Sequence, residues 1–132
     1  MEKRYITMLL GKSVLGISAF VFIGYGIVSL ISPATSAGFA GLVLSNGDAF
    51  AEIRAMYGGL QTGVGLFCAL ALLKPEYYRS GLTLLVLAIG TLALARLVSL
   101  LAVAGSVTSY TYGALGYEFV TAMLALVALM KK

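Results

Sequence analysis

The chain has no histidine, no tryptophan, one cysteine and two prolines in 132 residues. Without histidine there is no imidazole to ligate a metal or haem, or to act as a general base. A lone Cys68 excludes an intrachain disulfide and a thiolate cluster. No metal site and no cofactor are therefore expected. Charge is scarce as well, at 11% of residues, against ~25% in soluble domains. What fills the chain instead is apolar: 61% of residues, against ~45–50% ordinarily. A particle of this size cannot hide so much apolar surface from water. The sequence therefore describes one integral membrane domain over residues 1–132.

Apolar runs cover about residues 13–32, 50–73, 82–104 and 113–130. Each approaches the ~20 residues that a helix needs to cross a bilayer core. The expected fold is all-α, a bundle of four transmembrane helices. Pro33 closes the first run and Lys74-Pro75 the second. Asn46-Gly47-Asp48 breaks the chain before the second, with Asp48 a candidate N-cap. The first run is longer than the ~7–15 residues of a signal-peptide core, so it reads as an uncleaved span. The loop after it carries Phe39, Leu42, Val43 and Leu44, apolar enough to lie on a membrane surface.

Lys3, Arg4, Lys12, Lys74, Arg79, Lys131 and Lys132 all flank the same ends of these runs. The loops over 33–49 and 105–112 hold no Lys or Arg. The positive-inside rule then places both termini in the cytoplasm, as expected of a multi-pass protein of a cell (inner) membrane. The net charge of +4 is thus a topology signal, and no nucleic-acid partner is expected. Tyr77 and Tyr78 on the basic side, and Tyr110 and Tyr112 on the other, read as interfacial anchors.

Glu52, Arg54, Arg96 and Glu118 fall inside the runs. Intramembrane charges are costly and usually face the bundle interior or a cavity. In this topology all four lie in the outer half: Arg96 about 12 Å deep, Glu118 about 7–8 Å. Helical spacing puts Glu52 with Ala55, Gly59 and Gly63, and Arg54 with Tyr57, Gly58 and Gln61. Ser18, Phe22, Tyr25, Ser29 and Ser32 form a mildly polar stripe on the first run. These residues suggest one buried polar cluster of Glu52, Arg54, Tyr57, Gln61, Arg96 and Glu118. Its role has three readings: ion pairs that fix helix register, a pocket for a ligand or headgroup, or contact with another protein. Glu52 has a further reading of its own, as the complement of its helix dipole.

Gly59-Leu60-Gln61-Thr62-Gly63 is a GxxxG step, and Ala55 extends it. Such lines of small residues let membrane helices approach closely. The expected use of Ala55, Gly59 and Gly63 is packing within the bundle, with homodimerisation as the alternative.

The run Ala51-Glu52-Ile53-Arg54-Ala55-Met56-Tyr57-Gly58-Gly59, with Ala95-Arg96 and Tyr117-Glu118, resembles a family of small bacterial membrane proteins, domain-of-unknown-function family 4345. The resemblance spans most of the chain, and Glu-x-Arg-x-x-Tyr-Gly-Gly is its most specific part. It implies a four-helix membrane bundle and no established activity. It further implies that Glu52, Arg54, Tyr57, Gly58, Gly59, Arg96 and Glu118 are shared family positions. More distantly, the layout is similar to DoxX-like and Erg28-like four-span proteins, a likeness of fold only.

The first functional expectation is a non-enzymatic accessory or scaffold protein that packs against a larger membrane partner. It requires a small-residue face left uncovered. The alternative is binding or transport of a lipid, quinone or other amphiphile at the charge cluster, which requires a cavity near Arg54 and Arg96. Membrane lipids are partners in either case. An enzyme is not expected, because no nucleophile–base pair or metal-ligand set is present.

Overall fold

A computed structural model describes residues 1–102 and 105–131. All regular structure among the described residues is helical. Helix α1 runs Glu2–Ile31, and α2 is a short Pro33–Phe39 turn of helix. Helix α3, Gly47–Ile53, leads through a π-helical segment, Arg54–Leu60, into α4, Gln61–Leu73. After a 3₁₀ turn at Pro75–Tyr77, α5 covers Tyr78–Leu84. A second π-helical segment, Leu85–Ile89, leads into α6, Gly90–Ala102. Helix α7 is Ser109–Met130. Four stretches are long and apolar enough to cross a membrane: Glu2–Ile31, Gly47–Leu73, Pro75–Ala102 and Ser109–Met130.

The ends differ from the apolar runs. Helix α1 starts far ahead of Ser13, because Lys3, Arg4 and Lys12 are good helix formers and no proline intervenes. Its exposed Tyr5, Ile6 and Leu9 show that the apolar surface also begins earlier, with long basic side chains able to reach past it to water. The third stretch takes in Tyr77, Tyr78 and Arg79 for the same reason: polar tips do not stop a helix at its end. The second is capped by Asn46, whose Oδ1 accepts from the Ala49 N–H at 2.9 Å. Asp48 instead sits in the first turn, where a carboxylate complements the helix dipole. The expected end of the third run at Ala104, and the flanking Lys132, lie outside the described residues.

The chain divides into two compact units. The first comprises residues 1–15 and 71–132. Leu15, Leu82, Leu85, Ile89 and Ala93 are buried there. Helix α7 packs against α5, α6 and the Leu85–Ile89 segment. It buries Glu118, Thr121, Ala125 and Ala128, a three-four spacing that keeps one α-helical stripe inward. Gly81 lets the chain close on Ala71 and Leu15; a Cβ there would overlap Ala71 Cβ.

The second unit comprises residues 16–70. Here α1 lies against the Arg54–Leu60 segment and α4 at backbone distance. A Cβ on Gly26 would meet Thr62 N at 2.8 Å and Gly58 O at 2.9 Å. One on Gly65 would meet Ile23 N at 2.7 Å, and one on Gly58 would meet Leu30 Cδ2 at 2.7 Å. Small residues at such crossings gain dispersion contacts that lipid cannot offer. At the carboxyl end of α1 the chain turns at Pro33, whose fixed φ suits the first position of α2. The turn is held by buried Ser29 and Ser36, whose hydroxyls lie 2.6 Å apart. Ser29 Oγ already donates to the Tyr25 carbonyl at 2.8 Å, so the shared proton belongs to Ser36. The loop beyond α2 reverses at Gly41, whose φ of +74° is easy only for glycine.

Candidate functional site

Glu118 points inward from α7 because it shares the stripe of Thr121 and Ala125. Its partner is Arg96 of α6. Arg96 Nε donates to Glu118 Oε1 at 2.5 Å, and Nη2 donates to Oε2 at 3.3 Å. This two-pronged geometry suits the planar guanidinium and fixes the relative register of α6 and α7. The Glu118 side chain is 5% exposed and that of Arg96 27%. The open flank of Arg96 forms part of a cavity of about 280 Å³. Leu92, Leu100 and Val107 supply its apolar wall, and Ser99 and Thr111 its hydroxyls. Charge neutralised on one side and apolar walls on the other could seat the polar end of an amphiphile.

The remaining expected site residues belong to residues 16–70. Arg54 and Glu52 are exposed, and Tyr57 and Gln61 are half-buried. Arg54 Nε donates to the Leu30 carbonyl at 3.2 Å. That carbonyl lies in the last turn of α1, where it lacks an intrahelical donor and attracts a cation. The guanidinium also lies 6.0 Å from the centre of the Phe50 ring, within cation–π range. Tyr57 meets Tyr25 with ring centres 6.3 Å apart, and Tyr25 Oη donates to the Ser36 carbonyl at 3.4 Å. The family-like run thus holds the end of α1 in place. Arg54 serves it as a carbonyl cap.

Ala55, Gly59 and Gly63 are exposed. A Cβ on Gly63 would meet nothing within 4 Å, and one on Gly59 only Arg54 O at 3.8 Å. Close approach within residues 16–70 falls instead to Gly26, Gly58 and Gly65. The cause is local: buried positions step by five, from Ile53 to Gly58, the i→i+5 step of a π-helix. Nothing in the residue pattern signals such a step. Sequence reasoning also missed Ser36, although its partner Ser29 lies on the polar stripe of α1.

Four helices long and apolar enough to cross a membrane, and an ion pair on a buried glutamate, define a polytopic α-helical membrane protein. The chain belongs to the family described as Domain of unknown function (DUF4345), whose model matches residues 10–129. No curated protein and no solved structure matches it.

Proposed function

We propose that this chain is a non-enzymatic accessory protein of a cell (inner) membrane, with both termini in the cytoplasm. It packs against a transmembrane helix of a larger membrane protein. The observation that carries this reading is the line Ala55, Gly59 and Gly63, exposed along the second span with open space beside it. Glycines are costly in a helix unless closeness is needed, and in lipid small residues mark helix-helix contact. The test is native mass spectrometry of protein released from mild detergent. The expected result is a stoichiometric complex with a second membrane protein. Gly59→Leu/Gly63→Leu should release a folded monomer, since both positions are exposed and a Cβ at either meets nothing closer than Arg54 O at 3.8 Å. A wild-type monomer, or a complex indifferent to both leucines, overturns the reading. A homodimer in the same spectrum would move the contact to a second copy.

The cavity beside Arg96 supports a second reading, retention of an amphiphile there. Ser99→Leu narrows that cavity and leaves the residues of the ion pair unchanged. A bound lipid or quinone mass that survives Ser99→Leu removes this reading.

A further inference from the structure

A second charged site lies at the other end of the unit formed by residues 1–15 and 71–132. Arg4 in the first turns of α1, Arg79 at the start of α5 and Lys131 just after α7 line one groove of about 280 Å³. Met8 and Ala128 form its apolar wall, and Tyr78 its aromatic one. Among the described residues, no carboxylate pairs with any of the three cations. Glu2 and Glu76 stand at the same helix ends, but neither lines the groove. Arg79 Nη2 donates to the Leu129 carbonyl at 3.3 Å, which aims its guanidinium across the end of α7. Tyr78 Oη reaches the Met8 carbonyl at 3.5 Å. Gly11 leaves room for that ring, since a Cβ there would overlap Tyr78 Oη. A neighbouring cavity of about 240 Å³ shares Met8 and Tyr78 and adds Lys12.

Topology alone needs basic residues near these ends, and any distribution on the right side satisfies it. Convergence of three cations from three helices on one groove is more than topology requires. Like charges held together raise each other's energy, and a bound anion removes that cost. The anion must match helix ends whose outward surfaces are apolar: Tyr5, Leu9 and Met130 are all exposed. We propose that Arg4, Arg79 and Lys131 bind the phosphate of an anionic phospholipid, with its acyl chains along these helix surfaces. Basic pockets between membrane helices take such headgroups.

The test uses the full chain in vesicles of phosphatidylethanolamine with a minor share of phosphatidylglycerol, read by native mass spectrometry after extraction. Wild type should retain phosphatidylglycerol above its share in the vesicle. Arg4→Gln/Lys131→Gln should weaken retention about thirtyfold, from two headgroup cations lost. Both side chains are exposed, so the fold should stand; circular dichroism and a thermal melt check that it does. Arg79 is left intact because it also caps α7. Lys3→Gln/Lys74→Gln removes the same charge outside the groove and should change retention little. Equal losses in the two double variants overturn the site and leave only diffuse attraction. Displacement of the lipid from wild type by millimolar inorganic phosphate overturns the lipid as its source and assigns the groove to a soluble phosphate.

Discussion

Within residues 16–70, helices meet where side chains are missing. Gly26, Gly58 and Gly65 bring backbones to within a Cβ of one another. Within residues 71–132, Gly81 makes one such approach to Ala71, but helices meet chiefly through side chains: Leu82, Leu85 and Ile89 are buried, and one ion pair ties Arg96 to Glu118. The contrast follows from the solvent. Lipid gives no hydrophobic drive for apolar side chains to associate, so membrane helices rely on tight packing or on polar contacts. This chain leans on a different solution in each unit. The first is sensitive to volume, the second to charge.

The largest effect should come from charge. Arg96→Met strands a nearly buried carboxylate and should cost about 3–5 kcal/mol, read by unfolding in mixed micelles. Arg96→Met/Glu118→Leu should recover most of it, because the double variant leaves no unpaired charge. A single variant as stable as wild type would erase the contrast. Next comes volume. Gly65→Ala should cost about 1–3 kcal/mol, the range for overpacking. Gly63→Ala, two positions away and facing open space, should be neutral or gain up to about 1 kcal/mol from helix propensity. Equal costs at Gly63 and Gly65 would show that backbone approach is not what holds this unit. The smallest effect is at the turn after α1. Ser36→Ala removes one hydroxyl contact worth about 0.6 kcal/mol on membrane-protein scales, since Ser29 keeps its bond to Tyr25.

Much of this was legible in the residues. Long apolar runs located four spans, and Pro33 and Pro75 marked two of the breaks between them. Glu118 and Arg96 were singled out by depth and face, and they pair. The polar stripe of α1 turns Ser18, Phe22 and Ser29 inward. Less legible was the start of α1, because basic residues interrupt an apolar count without interrupting a helix. The packing glycines were hidden for a different reason. A period of 3.6 assigns Gly59 and Gly63 to one line, and only backbone geometry shows that the inward step runs from Ile53 to Gly58. Burial also separates the charges: Glu118 is buried, while Glu52 and Arg54 are exposed. Hydropathy sees all of them as equal interruptions.

The π-helical segment Arg54–Leu60 carries one consequence for chain length. A π turn holds one residue more than the α turn it replaces. Deleting a single residue there, such as exposed Met56, would let Gly47–Leu73 close as one continuous α-helix. Residues on the amino-terminal side would then swing by about 100° around the axis relative to Gln61–Leu73. Phe50, Glu52 and Ile53 would face new directions with their identities unchanged. The segment therefore works as slack in the ruler. One residue gained or lost at this point would leave the contacts after it in place and re-aim only the helix end that precedes it.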